Sequence, residues 1–207
     1  HAVADHFDGG KTNGTVKSAT GTGKTYSLGA MAVASDVPTV IITPRKLIGD
    51  QTIKTFMDGE KFDLDVANNV GLYDSDQPKL DRQEALGKKI LVTTYPSFIK
   101  LVQSGKISAD PNSPNYRGNI ILDEAHRATG EGFRAALEPF NDTSLVTAWT
   151  ATDGFMNGST VNERLFGEKG RIYTLEMRDA VEQGRLCHAI KPIAMEVNVD
   201  GAAIEAL

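Results

Sequence analysis

A glycine-rich octapeptide, SATGTGKT at residues 18–25, constrains this chain more than any other stretch. It stands between a short apolar segment (Thr15, Val16) and a helix-forming run that starts at Lys24. That context calls for a strand, a tight turn and a helix in succession. In the turn, Gly21 and Gly23 permit backbone angles that a residue with a Cβ resists, so successive N–H groups can face one bound anion. The start of the following helix adds partial positive charge at the same place. Thr20, Gly21, Thr22 and Gly23 would then form a phosphate cradle. Lys24 can reach the β and γ phosphates of a nucleotide, and the Thr25 hydroxyl can ligate Mg²⁺.

A second element, ILDEAH at 121–126, supplies what the first lacks. Asn119, Ile120, Ile121 and Leu122 form an apolar run bounded by turn residues, which suits a strand buried on both faces. Asp123 and Glu124 follow at its C-terminal end, where parallel sheets gather ligand chemistry. An Asp there can hold magnesium, and the adjacent Glu can orient or deprotonate an attacking water. A short GK[ST] match and an Asp-Glu pair are each commonplace, the latter as a helix cap. In this order they describe a site for a nucleoside triphosphate.

The rest of the chain alternates in the same manner. Apolar runs at 39–42, 89–93, 120–122 and 145–147 read as strands. The segments 24–34, 46–57, 80–86, 96–102 and 132–140 read as helices. Strands alternating with helices imply crossover units and a parallel α/β sheet with helices on both faces. After Asp153 the texture changes to a loop at 154–160, a short helix near 162–166, a strand at 171–175, a helix at 177–183 and a strand at 193–199. We therefore expect a motor unit over 1–153 and a C-terminal extension over 154–207.

Composition narrows the class further. The 207 residues are 40% hydrophobic and 24% charged, which suits one globular domain with an appendage. A net charge of −5 argues against a nucleic-acid binder that uses its whole surface, while leaving room for a local basic groove. The single cysteine, Cys187, allows no internal disulfide and fits a reducing cytoplasm. No apolar run approaches the length of a membrane span. The chain begins at His1 rather than Met and reads as a piece of something longer.

At this point the order of motifs resembles a family. SATGTGKT, ITPRKLI at 42–48, VTTYPSF at 92–98, ILDEAHRATGEGFRAAL at 121–137 and TAWTATDGF at 147–155 resemble the first motor domain of a superfamily 2 helicase. The likeness is to the DEAH-carrying kind, found in DNA-repair helicases and in the translocation subunits of restriction enzymes. The segment 165–186 resembles the stretch that follows that domain in the restriction-type group. The resemblance implies a RecA-like P-loop NTPase fold, ATP and Mg²⁺ as ligands, and nucleic acid as partner, with double-stranded DNA favoured. It also implies a second motor domain that would complete the machine.

Residue by residue, the resemblance carries over Lys24 and Glu124 as catalytic, and Thr25 and Asp123 as metal-holding. It sets Pro44, Arg45, Lys46 and Thr94 against the nucleic-acid backbone, where cations and hydroxyls hold phosphates without reading bases. Thr150 and Thr152 would couple the nucleotide to the nucleic-acid site, with His126 as relay to the partner domain. The same residues have plainer readings. Arg45 and Lys46 suit a solvated helix start, Thr94 a helix cap, Thr150 and Thr152 a hydroxyl-capped turn, and His126 a satisfied structural histidine.

Departures are visible too. Ser18 replaces the usual Gly or Ala, and Asp153-Gly154 replaces the proline that commonly follows Thr-Ala-Thr. The glutamine that many relatives use to recognise adenine would precede His1. Gln183-Gly184-Arg185 has the wrong spacing for the arginine motif of a second motor domain. A small-molecule kinase or GTPase would share the phosphate loop but leave 123–126 and 150–152 unexplained, and no NKxD motif is present. A nucleotide-gated binding module without turnover is the remaining alternative.

Overall fold

The computed structural model describes residues 13–57, 62, 64–128, 130–152, 154, 158–167, 171–175 and 177–182. Seven strands form one sheet: β1 (Gly14–Ser18), β2 (Thr39–Thr43), β3 (Val70–Tyr73), β4 (Ile90–Thr94), β5 (Asn119–Leu122), β6 (Leu145–Thr150) and β7 (Arg171–Leu175). Their spatial order is β3-β4-β2-β5-β6-β1-β7, and every pairing is parallel. Parallel neighbours cannot be joined by tight hairpins, so helical crossovers connect them, as the alternating sequence pattern requires. These are α1 (Lys24–Ala34), α2 (Lys46–Met57), α3 (Val66–Asn69), α4 (Lys79–Leu86), α5 (Tyr95–Gln103), α6 (Glu131–Leu137) and α7 (Val161–Phe166), and a further helix, α8 (Met177–Glu182), follows β7.

Strands β1, β2, β4, β5 and β6 are buried on both faces, which is why the apolar runs among them do not alternate. Side chains nevertheless divide by parity. Val40, Ile42, Leu91, Ile120, Leu122, Val146 and Ala148 join Phe98, Phe133 and Phe140 in one core. Val16, Ile41, Ile90, Val92, Ile121 and Trp149 join Leu28, Ala32 and Phe56 in the other. Each fully buried aliphatic side chain contributes roughly 1.5–3 kcal/mol relative to an exposed one. At the far end of the sheet from the motifs, the Arg117 guanidinium is buried and donates to the carbonyls of Leu86 and Lys88. Burial pulls its pKa down to about 10, so it stays charged at neutral pH and ties the end of α4 to β5.

Several boundaries differ from the sequence expectation. The helix expected over 132–140 ends at Leu137 and continues only as a 3-10 turn, Glu138–Phe140. Pro139 lacks an N–H and cannot extend the ladder. The run at 145–147 extends to Thr150. The pair α3 and β3 has no counterpart in the sequence expectation, because Val70-Gly71-Leu72-Tyr73 is short and interrupted by a glycine. The glycine has a packing reason, since a Cβ there would stand 2.6 Å from the Ala85 Cα of α4. Strand β7 lies where the sequence put it and pairs with β1. The strand expected at 193–199 lies outside the described residues. Among the described residues no helix is long and apolar enough to cross a membrane.

The strand order fixes where ligands can go. Leaving β1, the chain passes over β6 and β5 to reach β2, and α1 contacts β5 on the way. The C-terminal ends of β1, β6 and β5 are therefore consecutive along one edge, with the turns after them converging there. Such a reversal point is the usual ligand crevice of an open α/β sheet.

Candidate nucleotide-binding site

The turn after β1 owes its shape to two glycines. Gly21 has φ 84° and Gly23 has φ 82°, both in the left-handed region. A Cβ at Gly23 would meet nothing within 4 Å, so backbone conformation rather than space requires glycine there. Gly23 immediately precedes α1, whose first turn carries no acidic residue to oppose an incoming anion. The loop also braces itself. The Thr22 hydroxyl donates to the Ala19 carbonyl at 2.7 Å and meets the Ser18 hydroxyl at 2.6 Å. The Lys24 ammonium donates to the Ser18 carbonyl at 3.3 Å, which folds it over the turn. The serine that departs from the usual Gly or Ala thus gains a local role as partner of Thr22.

The acidic pair is prepared differently. Asp123 continues the line of β5, its N–H donating to the Ile42 carbonyl at 2.8 Å. Glu124 then takes φ 50° and ψ 49°, and among the described residues it is the one non-glycine with positive φ. Such a conformation costs on the order of 1–2 kcal/mol for a residue with a Cβ. It turns the chain sharply into the 3-10 turn Ala125–Arg127, so the two carboxylates part company. Asp123 is 4% exposed, whereas the Glu124 side chain is 31% exposed.

Burial, reinforced by the Glu124 charge, pushes the Asp123 carboxyl up to about 6. The Glu124 N–H, donating to Asp123 Oδ1 at 3.0 Å, and the Lys24 charge both oppose that rise. Beneath the pair, the Tyr95 hydroxyl donates to the Asp123 carbonyl at 2.7 Å. Burial first, and then the charges of Asp123 and Glu124, hold the Tyr95 phenol well above its ordinary pKa.

These pieces meet in one cleft of about 420 Å³. Thr20, Gly21, Gly23, Lys24, Thr25, Asp123 and Glu124 line it, together with Ile48 and Gln51 from α2. A second cleft of about 330 Å³ adjoins it, sharing Ile48 and Glu124 and adding Pro44, Arg45, His126 and Arg127. His126 Nδ1 lies 3.3 Å from Glu124 Oε2 and 3.2 Å from the Thr150 hydroxyl at the end of β6. Thr150 Oγ1 in turn donates to the Thr152 carbonyl at 2.7 Å and accepts from the Thr152 N–H at 3.1 Å. A continuous polar chain thus runs from the acidic pair to the turn after β6.

A family model described as the res subunit of type III restriction enzymes matches residues 1–153. The chain belongs to that family. Among solved structures, this res-family chain is similar to the Hef helicase domain of Pyrococcus furiosus, with a TM-score of 0.64 and 21% identity over 83% of this chain and 37% of that one. It is similar to the Mycobacterium smegmatis helicase Lhr bound to single-stranded DNA and AMP-PNP, with a TM-score of 0.61 and 20% identity over 84% and 25% of the respective chains. It is also similar to a nuclease-deletion mutant of the type ISP restriction-modification enzyme LlaGI in complex with a DNA substrate mimic, with a TM-score of 0.60 and 19% identity over 88% and 19%. The fold is therefore RecA-like, that of helicase motor domains, and the chain spans well under half the length of each of these proteins. No curated protein matches it.

Within this res-family domain, the two clefts gather most of the residues singled out in the sequence, but not all. Thr22 turns its hydroxyl into the loop instead of lining the cleft. Lys46 is exposed and pairs with Asp76 at 3.4 Å, and the Thr94 hydroxyl donates to Ser97 at 3.1 Å. Neither residue lines either of these two clefts, whereas Pro44 and Arg45 line the second. Sequence reasoning passed over Tyr95, Ile48, Gln51 and Arg127. Ile48 and Gln51 lie three apart on α2, which puts them on one helix face, a signal present in the sequence once α2 is placed.

Proposed function

We propose that this chain is the ATP-binding motor domain of an ATP-dependent DNA helicase or translocase. It would hydrolyse ATP with Mg²⁺ when joined to a second motor domain. One observation carries the reading: the glycine turn with Lys24 and Thr25 and the buried acidic pair open onto a single cleft. In this reading the loop N–H groups from Gly21 onward and the Lys24 ammonium hold the β and γ phosphates.

The oxygen donors suit magnesium. Thr25 offers a hydroxyl and Asp123 a carboxylate, and two protein oxygens match a cation that keeps waters and shares phosphate oxygens. Among the described residues no group of three or more His, Cys, Asp or Glu could hold a metal by itself. Magnesium, when bound, neutralises charge building on the transferring phosphoryl group. Glu124 accepts the proton of the attacking water, and the His126–Thr150–Thr152 chain relays its state along the sheet edge. Pro44, Arg45, Lys46 and Thr94 face the nucleic-acid backbone.

Residues 1–153 form the motor unit, and 154–207 extend it towards the second domain. The pairing of β7 with β1 supports an extension of the same sheet. DNA is the proposed track, supported by family membership and by the similar structures that hold DNA; that it is double-stranded follows the restriction-type resemblance.

Two measurements test this. Calorimetry should detect Mg·AMP-PNP binding to the chain. A phosphate-release assay on a protein that joins this domain to its second motor domain should show hydrolysis stimulated by duplex DNA. Binding without any hydrolysis in the joined protein would favour a nucleotide-gated binding module instead.

A further inference from the structure

The two clefts adjoin along Ile48 and Glu124; in the second, Pro44 and Arg45 are assigned above to the nucleic-acid backbone and His126 to the relay, which leaves Arg127 without a role. Arg45 and Arg127 line this second cleft together with His126 and Pro44, and it shares Ile48 and Glu124 with the first. Neither arginine forms an ion pair with another described residue. At about 330 Å³ the space is large enough for a tetrahedral oxyanion with its hydrating waters. We propose that this cleft is a phosphate oxyanion site, and that its occupant is the inorganic phosphate released in the first cleft, on its way out past Glu124.

The inference rests on the nucleotide reading, because that reading supplies the phosphate. The charges favour a waypoint rather than a store. Arg45 and Arg127 attract a phosphate and can offer it forked N–H donors. Glu124, a carboxylate on the same wall and 3.3 Å from His126 Nδ1, repels it. A site with both signs captures an anion loosely, which suits an exit. A backbone phosphate of a nucleic acid has the same chemistry as the free ion, so the test must tell these two sources apart.

The 207-residue chain is saturated with Mg·ADP and then titrated with inorganic phosphate at constant ionic strength, followed by ³¹P NMR line broadening and calorimetry. The expected result is one phosphate bound in addition to ADP. Arg127→Gln should weaken that phosphate about tenfold or more while leaving ADP affinity unchanged, and Arg127→Lys should restore part of the loss. Repeating the titration with a saturating DNA duplex separates the sources. Phosphate binding that persists supports the exit site, whereas one-for-one displacement assigns the cleft to nucleic-acid backbone and overturns the proposal. Equal phosphate affinity in the native chain and in Arg127→Gln also overturns it, as does phosphate that displaces ADP. If ADP fails to bind, the nucleotide reading falls. The Arg127-dependence of phosphate binding by the nucleotide-free chain then decides the oxyanion site by itself.

Discussion

The Tyr95 hydroxyl donates a 2.7 Å hydrogen bond to the backbone carbonyl of Asp123, from beneath the strand end that carries the acidic pair. Tyr95 is 8% exposed and packs edge-on against Phe133 at 4.9 Å between ring centres. Its phenol therefore pins the β5 turn to the start of α5. Tyr95→Phe keeps the ring and removes only the donor, leaving a buried carbonyl unsatisfied. We expect a loss of about 1–3 kcal/mol, read as a lower urea midpoint with an unchanged slope. An unshifted midpoint would mean that water replaces the phenol at no cost.

The buried Asp123 carboxyl makes stability depend on pH in a direction opposite to that of most aspartates. Its folded pKa of about 6 lies above the ordinary 3.8, so the native state holds the proton more tightly than the unfolded chain. Stability from this group is present below the ordinary value, falls as pH rises through about 6, and is flat beyond. Asp123→Asn removes the penalty. The variant should be more stable than the native chain at pH 8 by on the order of 2–3 kcal/mol, with the gap closing towards pH 4. Denaturant melts at both pH values check the sign. Magnesium-dependent nucleotide binding should weaken in the same variant.

Lys24 and Glu124 line the same cleft but should fail differently. Lys24→Ala removes a charge-assisted contact worth roughly 1.5–3 kcal/mol and should weaken triphosphate binding about ten- to a hundredfold. Among the described residues its ammonium makes one hydrogen bond, to Ser18 at 3.3 Å, long enough that the fold should survive. Glu124→Gln should keep nucleotide affinity and, in a protein with its second motor domain, lose turnover by about 10²–10⁴-fold. Calorimetric titration beside single-turnover rates separates the two. A Glu124→Gln protein that hydrolyses at the native rate would remove Glu124 from the role of base.

Two glycines are required for unrelated reasons, and substitution should reveal it. At Gly23 only the backbone angle objects, so Gly23→Ala should cost about 1–2 kcal/mol and mainly impair the phosphate turn. At Gly71 an added Cβ would press on the Ala85 backbone, which cannot yield without lifting α4 off β3. Gly71→Ala should therefore cost more, about 3 kcal/mol or above, without touching the cleft. Thermal melts rank the two, and the reverse ranking would contradict the packing account.

Much of this protein was legible in order along the chain. The glycine turn, the ILDE strand end and the alternation of apolar runs with helical patterns each rest on local chemistry, and local chemistry is what a sequence displays. Family likeness added roles that no single residue declares. The strand β3 escaped because four residues broken by Gly71 carry too weak a pattern. Its place depends on α4 closing over it, a contact with no local signature.

The sequence by itself determined that a glycine turn before a helix and an acidic strand end exist. Only the tertiary structure decided that they share a cleft, because the order β5-β6-β1 brings strands distant in sequence to one edge. The same neighbourhood joins His126 to Thr150, and burial of β5 raises Asp123 to about 6. It also separated Arg45, which lines a cleft, from Lys46, which turns to Asp76, although the two are adjacent in the chain. Neighbouring positions on a helix point about 100° apart, so adjacency in sequence leaves open which of two cations meets a site. Packing makes that choice.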